Sequence, residues 1–491
     1  MIRKGALPHT LSRRRFCATM VAAAAGIAAS ACSSGVGRTP SPSTSGAPVN
    51  PPLQFPDGFK WGVATSAYQI EGAVAADGRG RSIWDTFCAR PGTITDGSSG
   101  AVACDHYHRW ESDLDLMHSL GIGSYRFSIA WPRVLPSGRG PVNRRGLDYY
   151  DRLVDGLLAR GISPVATLYH WDLPQALQDR GGWENRDSAE WFADYATVLF
   201  EALGDRVSQW LTINEAKVIA EQGYQYGRMA PGKSDLRTSG TVIHHLNLAH
   251  GRAVAAFRGI KGIGRIGPCL QLAPCYPSDG SPEAEAAATA ADTRENTLYL
   301  EPLLNGRYPS LSSINDRVAA GIEATTKGGD LAAISAPVDF LGVNYYTPVV
   351  IDGQGRPVQP HPTSSAGWQQ IYPQGLHDVL MRLRGDYASP EVLITENGVP
   401  DDPTDSSQPT ADHARVDFLG RHLRALHQAI GEGCRVTGYH AWSLLDNFEW
   451  AAGYSQRWGL VQVDFSNLDR SPKTSASWYS AVARSNSIPG D

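Results

Sequence analysis

The sequence predicts a single (β/α)8 TIM barrel, an α/β fold that carries its active site at the carboxyl ends of the strands. Two observations lead there. Short apolar runs alternate with amphipathic helical stretches from Phe55 to about Ser485, with no low-complexity break long enough for a second linker. Polar and aromatic residues also gather directly after those runs. Length alone would suggest about three domains, but barrels of this kind can run to more than about 400 residues.

The predicted strands are residues 60–65, 124–129, 164–168, 209–213, 265–272, 339–343, 392–395 and 438–443. Stretches such as 147–160 and 189–203 lie between them and space their apolar residues by three and four, the helical period. Strand-then-helix repetition implies parallel pairing, and a sheet that closes after eight such units is a barrel. Gln69 and Glu71 follow the first strand, Trp131 the second, and His170-Trp171-Asp172 the third. Asn214-Glu215 follow the fourth, Asn344-Tyr345-Tyr346 the sixth, and Glu396-Asn397 the seventh. Asp446, Glu449 and Trp450 follow the eighth.

Residues 1–32 read as an export signal. Ser12-Arg13-Arg14-Arg15-Phe16 precedes an Ala-dominated apolar run over 17–31, in the manner of a twin-arginine signal. That run is shorter and less apolar than the roughly 20 residues a membrane span needs. Ala29-Ser30-Ala31-Cys32 accommodates two processing events: release at an A-x-A site, or acylation of Cys32 in a lipobox with Ala29 where Leu is usual. Residues 33–54, rich in Ser, Pro, Gly and Thr, read as a tether ahead of the 55–485 barrel, which favours an anchored lipoprotein on the outer face of the membrane.

The 491 residues carry 44 basic and 49 acidic side chains, a net charge of -5. Six of the basic residues and none of the acidic ones lie before Asp57, so the body holds 38 against 49, a net -11. A mildly acidic body disfavours nucleic acid and anionic headgroups and leaves a neutral small molecule as the partner. The 13 Trp and 19 Tyr suit a sugar, although a large core consumes many of them. Beyond Cys32 stand Cys88, Cys104, Cys269, Cys275 and Cys434. Export permits bridges such as Cys88–Cys104 or Cys269–Cys275, and folding before translocation permits buried thiols equally. No CxxC pair marks a zinc site.

Two motifs mislead. Gly262-Ile263-Gly264-Arg265-Ile266-Gly267 matches a dinucleotide fingerprint, but a helical pattern precedes it and a strand follows, the reverse of what pyrophosphate binding needs. Asp105-His106-Tyr107-His108 suggests a metal, yet His at i and i+2 do not share a helix face, and helix-entry packing explains it better. No metal or cofactor is expected.

Thr212-Ile213-Asn214-Glu215 and Ile394-Thr395-Glu396-Asn397-Gly398 differ in kind. Each places a Glu just past an apolar β-rich run, in the mouth of the predicted barrel. A lone Glu there reads as a surface charge, and Asn-Gly alone as a turn. Two on different strands, with Arg126, His170 and several Trp converging, meet the requirement for cleaving an acetal: one carboxyl protonates the departing oxygen, and the other attacks or activates water.

Phe59-Lys60-Trp61-Gly62-Val63-Ala64-Thr65-Ser66-Ala67-Tyr68-Gln69-Ile70-Glu71-Gly72, Tyr125-Arg126-Phe127-Ser128-Ile129 and Tyr169-His170-Trp171-Asp172-Leu173-Pro174-Gln175 add to the two Glu motifs. With 341–346 and 442–450 they resemble, in collinear order from Phe55 to about Tyr479, glycoside hydrolase family 1, the β-glucosidase type. The resemblance implies a retaining mechanism with Glu396 as nucleophile and Glu215 as acid/base. Arg126 beside Glu396 would favour the carboxylate, while Glu215 would need a raised pKa. The resemblance also implies a hydrogen bond from Tyr346 to Glu396, a supporting place for Asn344, and Asn214 on the sugar 2-hydroxyl. Gln69, His170, Trp171, Glu449 and Trp450 would bind hydroxyls over Trp442 as an aromatic floor. An acceptor at Glu449 would repel a 6-phosphate. Ala216 stands where the family usually has Pro, and Trp458 replaces a usual Phe in what reads as a packing segment, with little effect expected.

The substrate class implied is a terminal β-D-glucosyl residue on a short oligosaccharide or an aryl or alkyl glucoside. Two alternatives stand beside it: an exported sugar-binding lipoprotein without turnover, and a transglycosylase using the same intermediate.

Overall fold

The computed structural model describes residues 51–260, 264–402 and 410–490. The export signal, Cys32 and nearly all of the tether therefore lie outside the described residues, as does Gly262.

Eight parallel strands close into a barrel. They are β1 (Lys60–Ala64), β2 (Ser124–Ser128), β3 (Ser163–Tyr169), β4 (Gln209–Asn214), β5 (Arg265–Gln271), β6 (Leu341–Asn344), β7 (Val392–Asn397) and β8 (Val436–Trp442). Each coincides with an apolar run predicted from the sequence, displaced by no more than two residues at either end. Buried on both faces, such strands read as near-continuous hydrophobic stretches.

Helices cover the outside. Arg144–Ala159 and Ser188–Leu203 match the predicted periodicity, and Leu236–Gly259 is capped by Asp235, which accepts from the Thr238 amide at 2.8 Å. That long helix runs ahead of β5, so Gly264 stands just before a strand and not before a helix. His106 opens the helix His106–Ser119 and pairs with Asp113 at 2.7 Å inside it. The five cysteines of the body are all free thiols, so neither candidate bridge forms.

Inside the barrel Val165, Leu211, Cys269, Phe340 and Leu393 form a packed apolar plug. Above it the lining turns polar, with Arg126, Asn214, Asn344 and Thr395 all fully buried. Two irregularities accompany this change. The pairing register shifts between Leu211 and Asn214 on β4, and between Ile394 and Glu396 on β7. Strict alternation would send every second side chain outward; an extra residue re-aims the strand end. Asn214-Glu215 and Glu396 are thereby delivered to the mouth.

Candidate active site

The mouth holds a cavity of about 540 Å³ whose wall includes His170, Trp171, Glu215, Tyr346, Glu396, Trp442, Glu449 and Trp450. They come from the ends of β3, β4, β6, β7 and β8, so the barrel brings together residues far apart in the chain. Arg126, Asn344, Asn214 and Gln69, also expected at the site, stand buried directly behind that wall. Glu71 faces away, accepting from Arg133 and Tyr150 at 2.9 and 2.6 Å. Trp131 stacks on Tyr195 at 4.7 Å, and Asp446 accepts from Lys473 at 2.8 Å.

The two glutamates are held differently. Glu396 takes an ion pair from Arg126 on one oxygen and the Tyr346 hydroxyl at 2.7 Å on the other. Glu215 takes a neutral donor, the Asn344 amide, at 2.7 Å. Asn214 joins the two sides: its Oδ1 accepts from Arg126 Nη2 at 2.7 Å and from Asn344 at 3.2 Å. Thr395 Oγ1 fixes the Asn344 amide by donating to its oxygen at 2.6 Å. Burial, reinforced by the negative charge of Glu396, raises the pKa of Glu215 well above the ordinary carboxyl range.

Asn214 Nδ2 lies 3.1 Å from His170 Nε2, and burial holds His170 neutral by pushing its pKa well down. An amide nitrogen only donates, so Nε2 is the acceptor and the ring proton sits on Nδ1. Nδ1 of His170 and Oε1 of Glu449 are both buried without a hydrogen-bond partner among the described residues. A donor and an acceptor left open on a cavity wall suit a hydroxylated ligand. Burial, then the Glu396 charge, pushes the Glu449 carboxyl up to about 8. Gln69 orients this corner through Asn447, to which its amide donates at 2.9 Å.

Backbone geometry serves the same end. Trp171, Glu215 and Trp450 have φ of 79°, 51° and 52°, a left-handed conformation rare outside glycine and concentrated at functional positions. Gly398 follows Glu396-Asn397 for a different reason: a Cβ there would sit 2.0 Å from the Trp442 carbonyl oxygen. Only glycine lets the loop after Glu396 pass so close to the aromatic wall.

Trp458 corrects the sequence reading. It is part of the cavity wall, with its ring 5.7 Å from that of Tyr346 and 6.2 Å from that of Trp368. Its position after β8, among aromatics that follow a strand end, was the available signal. Cys269, on β5, is one of the buried free thiols that the sequence allowed as an alternative to a bridge. Its thiol lies against Asn214, Asn344 and Thr395 at 3.1–3.3 Å, and burial raises it to about 12, which keeps it an inert filler.

A barrel whose mouth brings two unequally supported carboxyls to one cavity lined by aromatic and polar residues defines a class, the retaining or inverting glycosidases. The chain belongs to glycosyl hydrolase family 1, whose family profile matches residues 52–488. It is 45% identical over 445 residues to beta-glucosidase A of Acetivibrio thermocellus, covering 88% of this chain and 99% of that protein. It is 43% identical to beta-glucosidase A of Thermotoga maritima, covering 89% and 99%. The structure of a Thermotoga maritima family 1 β-glucosidase in complex with glucoimidazole superposes with a TM-score of 0.85 at 43% identity, over 89% of this chain and all of that one.

Proposed function

We infer that the chain is a retaining β-glucosidase that hydrolyses terminal β-D-glucosyl residues. The observation that carries this is the unequal support of the paired carboxyls. Arg126 and Tyr346 hold Glu396 as the carboxylate that attacks the anomeric carbon. Glu215, buried with a neutral partner, holds the proton that the departing oxygen takes as its bond breaks. Once Glu396 is bonded to the sugar its charge is gone, so Glu215 acidifies, then takes a proton from water as water attacks the glycosyl-enzyme. The β-glucosidase names of the relatives at 43–45% identity support the glucoside class.

Gln69, His170, Trp171, Asn214, Glu449 and Trp450 hold the glucosyl unit in this scheme, over the Trp442 ring. A sugar carries one C–H face and a rim of hydroxyls, which a flat aromatic and a set of acceptors and donors complement. The test is hydrolysis of aryl β-glucoside by the protein, with the released sugar followed by NMR. Retention of the anomeric configuration is expected, and inversion or lack of turnover overturns the reading.

We also propose export with acylation at Cys32, on the strength of the twin arginines, the apolar run and the tether. Because one acyl group anchors only marginally, a second chain on Cys32 is part of this proposal. Cys32→Ser should move the protein from the membrane fraction to the medium; equal membrane retention of both forms overturns it.

A further inference from the structure

The acid Glu215 must face the leaving group, so the leaving-group half of the cavity is the part built by the loops that follow β4 and β5. The cavity wall there includes Lys217, Glu221 and Glu295. Lys217 stands two residues past Glu215, on the short helix Ala216–Val218. Its ammonium lies 3.1 Å from the Glu221 carboxylate and 2.9 Å from that of Glu295. Both carboxylates sit on π-helical turns, Ile219–Gln225 and Thr293–Thr297, a winding that recurs at functional sites. Burial opposes the Lys217 charge, but the two carboxylates outweigh it and hold the ammonium firmly protonated.

We propose that Lys217, clamped between Glu221 and Glu295, is the specificity-determining residue of the leaving-group half and selects a hydroxyl-bearing saccharide over an apolar leaving group. A sugar ring laid against this wall donates its hydroxyls to the carboxylates and accepts from the ammonium, replacing the water they lose. An octyl or phenyl group strips the same water and returns nothing, and unpaired polar groups discriminate strongly. The triad therefore acts by penalising the wrong leaving group as well as by holding the right one. This inference rests on the hydrolase reading above.

The test compares kcat/KM for cellobiose with that for octyl β-glucoside. Lys217→Met is expected to lower the cellobiose-to-octyl ratio by about tenfold or more, the scale set by one charged hydrogen-bonding group. Lys217→Arg, which keeps the charge, should retain most of the ratio. Should the methionine variant fail to fold, the isosteric Lys217→Met/Glu221→Gln/Glu295→Gln variant removes every charge together and carries the same expectation. A triad that merely ties two loops together would lower both substrates alike, so an unchanged ratio in the folded variants overturns the proposal. Failure of the unaltered protein to release glucose from either substrate overturns the hydrolase reading itself.

Discussion

The amide of Asn344 donates to Glu215 at 2.7 Å, and the same nitrogen lies 3.2 Å from Oδ1 of Asn214, the atom that accepts from Arg126. Arg126 in turn holds Glu396. One chain of contacts thus fixes both carboxyls, with the cation at one end and a neutral amide at the other. That gradient supports the proposed roles, because a guanidinium stabilises a charge and an amide does not demand one.

If Glu396 is the attacking group, removing it should cost about a thousandfold or more in kcat. Azide should then enter from the vacated face of Glu396→Ala and give the α-glucosyl azide. In Glu215→Ala the glycosyl-enzyme still forms with a good leaving group, and azide opens it from the other face to the β-anomer. NMR of the products reads the two outcomes; the same anomer from both variants sinks the assignment.

In the proposed mechanism the raised pKa of Glu215 sets the alkaline side of activity. If its protonated form is the working acid, as proposed, kcat/KM should stay level until the pH approaches that raised value and fall beyond it. Burial is the larger cause and the Glu396 charge the next, so Glu396→Gln should lower the Glu215 pKa while leaving it above the ordinary range. Carbon-13 NMR titration of labelled glutamate side chains measures the shift, and an unmoved Glu215 would refute the coupling.

Tyr346 donates to the second oxygen of Glu396 at 2.7 Å from a buried position. A hydrogen bond to a charged group contributes about 1.5–3 kcal/mol, so Tyr346→Phe should lower kcat/KM by about 10- to 150-fold with little change in thermal midpoint. A loss below twofold would show that the hydroxyl orients nothing.

The barrel was legible because its strands are apolar runs and its chemistry stands at their ends. The run 392–395 followed by Glu396 shows both at once. What the letters hide is register. Nothing in Leu211-Thr212-Ile213-Asn214 announces the shift that turns Leu211 and Asn214 to the same interior, since side-chain alternation presumes unbroken pairing. The left-handed backbone of Trp171 and Trp450 is equally silent, because tertiary packing imposes it against local preference. Lys217 and Glu295 lie 78 positions apart, so their ion pair exists only once the loops after β4 and β5 meet.

Asp172 follows the wall residues His170 and Trp171 but does not line the cavity. Both of its oxygens are fully buried without a hydrogen-bond partner among the described residues. Burial pushes its pKa from 3.8 up to about 8, against a smaller opposing pull from Arg79. The folded chain therefore keeps a proton at Asp172 that the unfolded chain gives up above about pH 4. Between those two values the native state binds the extra proton, so stability falls as pH rises, by up to about 1.4 kcal/mol per pH unit, and levels off beyond the upper one. Asp172→Asn cannot titrate and should flatten that slope, whatever its effect at acid pH. Urea midpoints compared at pH 5 and pH 8 decide the matter: the variant's midpoint should fall less over this interval than that of the unaltered protein. Parallel declines in the two proteins would show that Asp172 is already ionised inside the fold.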